Sequence, residues 1–210
     1  MFTGIIEEVG KITKIEKGGN FRTFTVKAPQ ICGDSNKGDS IAVDGVCLSL
    51  TDITKDTFKV QAVRETLQMT TLLDFTENRA VNLERAMKPA DRLGGHIITG
   101  HIDGIGKIIE KTGKETINLK IEYPPALMKY IVPNGSIGID GISLTIKEVE
   151  TSSFKITIIP YTITSTTIGI KKADDKINIE TDILAKYAEK SASKNKKNIT
   201  MEFLQEKGYL

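Results

Sequence analysis

Tryptophan is absent from this chain of 210 residues, and cysteine and histidine occur only twice each. Two thiols, Cys32 and Cys47, are too few for a disulfide framework or a cysteine zinc site, and both fit a reducing cytoplasm as free thiols. Charge of one sign is also missing. The formal net charge is +2 and is spread along the chain, so neither a nucleic-acid nor a membrane partner is expected. No apolar run exceeds strand length, and none is long enough to span a bilayer. The opening MFTGIIEEVG has neither the basic start nor the apolar core of a signal peptide, so a cytoplasmic location is expected. No GxSxG, P-loop or GxGxxG pattern occurs, which removes the usual hydrolase, NTPase and dinucleotide readings.

What is present is an internal repeat. Phe2-Thr-Gly-Ile-Ile-Glu-Glu-Val-Gly-Lys-Ile12 matches Ile98-Thr-Gly-His-Ile-Asp-Gly-Ile-Gly-Lys-Ile108 at an offset of 96. Ser40–Leu50 matches Ser136–Ile146, and Val81-Asn-Leu-Glu84 matches Ile177-Asn-Ile-Glu180, at the same offset. Two copies are too few for a solenoid, so the pattern predicts two similar domains, over residues 1–95 and 96–186. Each copy has short runs of Val, Ile, Thr and Phe between Gly, Asn and Asp punctuation. That predicts an all-β chain of two Greek-key barrels, with equivalent turns at Asp44-Gly45 and Asp140-Gly141. Short helical turns are expected near Thr66–Leu73 and Thr162–Ile168. From Asp182 the pattern turns helical, with Ile183, Leu184, Tyr187 and Ala188 on one face. Residues 187–210 therefore read as an oligomerisation tail, with a last short helix capped by Thr200 and carrying Met201, Phe203 and Leu204.

The repeat also separates core from site. In Val46–Leu50 and Ile142–Ile146, apolar residues alternate with Cys47 and Ser49, and with Ser143 and Thr145. A hydroxyl or thiol face follows the Asp-Gly turn in both copies, as a ligand-binding face in each domain would require. A solvated strand face has the same composition. His96 and His101 lie five apart, which suits neither a helix face nor one face of a strand, and no acidic or thiol ligand set accompanies them. No metal is expected. His101 replaces Ile5 of the first copy. A break in the repeat by a side-chain type that titrates near neutrality points to proton transfer; a histidine satisfied at a domain junction is the plainer alternative. Cys47 breaks the repeat against Ser143.

Taken together, MFTGI at the start, Val43-Asp-Gly-Val-Cys-Leu48, Gly94-Gly-His96, Gly100-His-Ile-Asp-Gly104, Met128-Lys-Tyr130, Gly138-Ile-Asp-Gly-Ile-Ser-Leu-Thr145 and Ile159-Pro160 resemble the riboflavin synthase α-chain family over nearly the whole chain. The resemblance implies a tandem pair of six-stranded barrels and a homotrimer assembled through the C-terminal helix. It also implies possible association with lumazine synthase, and an active site between the first barrel of one subunit and the second of its neighbour. Each barrel would hold one 6,7-dimethyl-8-ribityllumazine, with no cofactor. The first pocket would use Cys47, Leu48, Ser49, Gln61, Ala62, Val63, Arg64, Glu65 and Thr66, closed by Gly100, His101 and Ile102 of a neighbour. The second would use Ser143, Leu144, Thr145, Thr157, Ile158, Ile159, Pro160, Tyr161 and Thr162, closed by Gly4, Ile5 and Ile6. His101 would transfer the proton, assisted by Ser40 or Cys47, while Asp140 and Asp182 would organise the second site. Asn134 stands where the family often has lysine, and Tyr161 where it often has glutamate or histidine.

Two other readings compete. Lumazine proteins share the duplicated barrel and only bind a chromophore. Retention of both hydroxyl faces, His101 and the apolar tail stripe favours an enzyme. An oligonucleotide-binding barrel pair would need basic charge and an aromatic platform on the pocket strands, and this chain has neither.

Overall fold

The computed structural model describes residues 1–194 together with Met201, Gln205 and Gly208. The first half holds β1 (Glu8–Lys17), β2 (Phe21–Lys27), β3 (Ser40–Val43), β4 (Val46–Ile53), β5 (Thr57–Val63) and β6 (Ala80–Arg85). The second half repeats them as β7 (Gly104–Thr112), β8 (Ile117–Glu122), β9 (Ser136–Ile139), β10 (Ile142–Val149), β11 (Ser153–Ile158) and β12 (Lys176–Thr181). Each set closes into an antiparallel barrel, in the order β1-β2-β5-β4-β3-β6 and its equivalent. Alternation decides what faces inward. Phe24, Val26, Phe58 and Val60 fill the first core, and Leu119, Ile121, Phe154 and Ile156 fill the second. The expected helical turns are present as Arg64–Met69 with Thr71–Asp74, and Pro160–Ser165 with Thr167–Gly169.

The two Asp-Gly turns close the β3–β4 and β9–β10 hairpins, with Val43 paired to Val46 and Ile139 to Ile142. Both residues of each turn have positive φ: 43° and 81° at Asp44 and Gly45, 45° and 80° at Asp140 and Gly141. The turn tips also touch. A Cβ on Gly45 would lie 2.6 Å from Gly141 N. A buried polar knot surrounds this contact. Asp44 Oδ1 and Asp140 Oδ1 accept from Asn82 N and Asn178 N, each at 2.7 Å. Asn82 Nδ2 donates to Asp140 O and Asn178 Nδ2 donates to Asp44 O, so each barrel's asparagine closes the other barrel's turn. The same two amides accept from Thr167 N and Thr71 N. Asp140 is therefore fully buried between the barrels. Its place follows from the positive φ of the turn and from this knot.

Cations complete the knot without obeying the repeat. Arg79 lies 3.6 Å from Asp44, and Lys171 lies 2.7 Å from Asp140. Burial, with Asp140 close by, pushes the Asp44 carboxyl up to about 7. A folded-state value above the unfolded one favours folding at low pH, and that contribution is lost as pH rises through about 7. Asp44→Asn keeps the Oδ1 acceptor and tolerates positive φ. Its melting temperature is expected to gain on the wild type as pH rises from about 5 to about 8. A difference that does not vary with pH would place the strained charge elsewhere.

The tail helix runs Ile183–Lys194, beginning where the pattern turns helical after Asp182. Asp182 caps it, accepting from Leu184 N at 2.9 Å, and Lys186 ties it to Asp103 at 2.6 Å. Leu184 and Tyr187 face outward, 62% and 64% exposed. The expected Thr200 cap and the Phe203 and Leu204 positions lie outside the described residues; Met201 is helical and exposed.

Candidate active site

Each barrel leaves one seam partly open. The β4–β5 ladder stops at Leu50 and Val60, although β4 begins at Val46 and β5 runs to Val63. The β10–β11 ladder stops at Ile146 and Ile156 in the same way. The lips of the first seam carry half-buried Cys47 and exposed Ser49, Gln61 and Val63, continuing into Arg64, Glu65 and Thr66. Those of the second carry half-buried Ser143 with exposed Thr145, Thr157, Ile159, Pro160 and Tyr161, and half-buried Thr162. Leu48, Ala62 and Ile158 turn their side chains into the cores, and Leu144 packs against the second core. These four belong to the lips through their backbone.

The seams are plugged by exchanged segments. Phe2 of the first half and Ile98 of the second form a bridge. The chain then crosses over. Gly4 O accepts from Ser143 N at 2.9 Å, and Gly100 O accepts from Cys47 N at 3.0 Å. Ile6 packs on the second core and Ile102 on the first. Gly4 and Gly100 have φ of 77° and 82°, and a Cβ on either would run into the side chain of Ser143 or Cys47. Each seam thus meets a segment of the other half. The same chain, not a neighbour, brings Gly100 to Cys47, because the linker folds residues 98–102 onto the first barrel.

Two buried carboxylates hold the crossings. Glu84 Oε1 accepts from Thr3 N and Thr3 Oγ1 at 2.6 and 2.7 Å, and its Oε2 accepts from Gly4 N. Glu180 repeats the pattern on Thr99 and Gly100. Burial raises both carboxyls above the ordinary range, while these donors pull them back. Such charge-assisted bonds contribute about 1.5–3 kcal/mol each. The sequence reading missed both residues, although each recurs in a matched stretch, on the strand face opposite core residues Val81 and Leu83 or Ile177 and Ile179. The crossing leaves exposed His101 between pinned Gly100 and packed Ile102, with His101 N donating to Thr99 Oγ1 at 3.4 Å. Ile5, its counterpart, is half exposed.

Other expected site residues are more scattered. Ser40 is paired across the strands with Ser49. It lines a surface cleft of about 640 Å³ with Thr3, Ile5, Glu84 and Gly94. Asn134 is exposed at φ 62°, where the first copy has Gly38, so the turn accounts for the asparagine. Asp182 serves the tail helix, and its charge also reaches His96. His96, which no site assignment included, is buried with Nδ1 2.7 Å from Ser143 Oγ.

The comparisons agree with this duplicated architecture. The lumazine binding domain family matches twice, at residues 3–86 and 99–182. The chain is 46% identical to riboflavin synthase of Actinobacillus pleuropneumoniae and 42% identical to that of Bacillus subtilis, with both proteins covered in full. The crystal structure of LumP complexed with riboflavin superposes with a TM-score of 0.81 at 26% identity, over 86% of this chain and 99% of that one. Its complex with 6,7-dimethyl-8-(1'-D-ribityl) lumazine gives a TM-score of 0.79 over the same share of each chain. On two matched domains and full-length identity, the chain belongs to the riboflavin synthase family.

Proposed function

We propose that this chain dismutates two molecules of 6,7-dimethyl-8-ribityllumazine, giving riboflavin and 5-amino-6-(D-ribitylamino)uracil. The observation that carries the reading is the pair of related open seams on one chain, each with a hydroxyl or thiol lip and its own exchanged plug. A reaction that consumes two copies of one molecule needs two related pockets. One molecule loses a proton from its C7 methyl, the other accepts a nucleophile at C7, and a four-carbon unit moves between them. The substrate rings store the charge, so the reading requires no cofactor. Holding two reactants in register makes the step effectively unimolecular and supplies up to about 7–11 kcal/mol of the barrier.

The lips of both seams carry exposed side chains, Ser49 and Gln61 on the first and Thr145 and Thr157 on the second. We therefore place the working site between the first barrel of one chain and the second barrel of a neighbour, in a homotrimer. The outward Leu184 and Tyr187 support a tail-mediated contact. Cys47, Ser49 and His101 would meet one lumazine, and Ser143, Thr145 and Ile5 the other, with Ser40 assisting the proton. We assign residues 1–95 and 96–186 as the two lumazine-binding units, each lending its first segment to the other. A cytoplasmic location suits the free thiols Cys32 and Cys47, and lumazine synthase, whose product this chain would consume, is the neighbouring enzyme we would test for association. Protein mixed with the lumazine alone, in the presence of a chelator, is expected to develop riboflavin absorbance and fluorescence. Binding without riboflavin formation would reduce the chain to a chromophore carrier.

A further inference from the structure

The two halves repeat each other at the seams in fold but differ there in side-chain chemistry. Ser143 lies on the lip of the second seam, and His96 Nδ1 is 2.7 Å from its hydroxyl. Cys47 occupies the equivalent place on the first seam, and its thiol has no hydrogen-bond partner among the described residues. The His96 side chain is nine-tenths buried, and its Nε2 is buried with no partner. A neutral imidazole has one donor and one acceptor nitrogen. Whichever way Nδ1 engages Ser143, Nε2 is left as a polar atom without a bond. Leaving such an atom unsatisfied costs about 1–3 kcal/mol, so the arrangement calls for something absent from the chain itself.

The surroundings hold the ring in this state. Burial lowers the imidazole's proton affinity, and the Asp182 carboxylate is the charge that opposes this. Asp182 is fixed by capping the tail helix. The backbone of Ser143 is fixed by Gly4 O. Both members of the pair are thus anchored, one through the tail helix and one through the exchanged N-terminal segment.

We propose that His96 is a positioning residue of the second pocket, holding the Ser143 hydroxyl toward the bound lumazine and presenting Nε2 to the same ligand. The two pockets then differ in chemistry although they match in fold. The second offers an oriented hydroxyl beside a neutral imidazole, and the first offers a thiol beside the exposed His101. This inference rests on the lumazine reading of the site.

The test is a set of four full-length variants: His96→Ala, His96→Asn, Ser143→Ala and the double variant His96→Ala with Ser143→Ala. The two single alanine variants are each expected to lower kcat by roughly 10²-fold or more, the lower end for a group that positions or moves a proton. KM should change by less than about threefold. The double variant should be no slower than the worse single one by more than about threefold, because groups acting as one unit are non-additive. His96→Asn places an amide where Nδ1 stood, and it should recover at least about tenfold over His96→Ala. Additive losses, an unrescued asparagine variant or a wild-type rate in His96→Ala would overturn the proposal. If His96→Ala does not fold, Ser143→Ala and His96→Asn decide it: a wild-type kcat in the first, or a drop of more than about 10²-fold in the second, overturns it. A wild-type protein that forms no riboflavin sinks the functional reading instead. The His96 proposal is then decided by imidazole nitrogen NMR during a lumazine titration: a shift at Nε2 supports it, and an unmoved signal overturns it.

Discussion

Replacing Leu184 and Tyr187 together by lysine is expected to reduce the assembled protein to single chains and to take riboflavin formation below detection. Both side chains are more than 60% exposed on a helix held to its own barrel by Lys186 and the Asp182 cap. Neither contributes to the core of the single chain, so the barrels should keep their melting transition. A homotrimer would bury these two residues against a neighbour, and two ammonium groups in that contact would be desolvated without partners. Loss of assembly removes the site as well, because each lumazine pair would span two chains. Light scattering and the riboflavin assay on one preparation check both halves of the expectation. A double variant that remains a trimer would take the tail out of the contact. A monomer with full activity would return both pockets to one chain.

His101→Gln is expected to slow turnover by roughly 10²–10⁴-fold while changing lumazine affinity little. The main chain on either side of His101 is fixed independently of its ring: Glu180 holds Thr99 and Gly100, Cys47 N donates to Gly100 O, and Ile102 packs into the first core. The substitution should leave that geometry in place. Glutamine can still donate and accept a hydrogen bond but does not shuttle a proton near neutral pH. Stopped-flow turnover and fluorescence titration separate the two effects. A near-normal kcat would make His101 a wall of the pocket; a loss confined to affinity would make it a contact.

The offset of 96 was enough to read two barrels, their turns and their hydroxyl faces, because strand alternation and Asp-Gly pairs are local signals. The seams were half legible. Cys47, Ser49, Ser143 and Thr145 could be placed on outer faces by period two alone, but the end of the β4–β5 ladder at Leu50 depends on what fills the gap. The crossing of Gly4 and Gly100 was not legible, since nothing in periodicity says which barrel a segment lies on. The surroundings of Asp140 were not legible for a related reason. In sequence it is an aspartate in an Asp-Gly turn, three residues from a serine lip, and nothing local shows the partner turn packed against it. Asn82, Glu84, Asn178 and Glu180 carried a usable signal that went unread: polar side chains recurring at buried positions of β6 and β12, where a plain core would be apolar. His96 lies just ahead of the second copy, with no first-copy residue to set against it.

The exchanged segments also set an order of assembly during synthesis. Residues 2–6 leave the ribosome well before their seats, Ile98 and the Ser143 strand. At roughly 5–20 residues per second, that strand follows about 7–30 s later. Until Ile98 and Gly100 emerge, Phe2 lacks its bridge partner and the Cys47 seam its plug; Gly4 and Ile6 wait longer, for the second barrel. Residues 2–6 are thus made early and seated late. The nascent first half is a species with one open seam and one loose apolar end, the kind of surface a chaperone holds or another nascent chain captures. Slowing elongation between codons 100 and 143 should lengthen that exposure, and faster passage should shorten it.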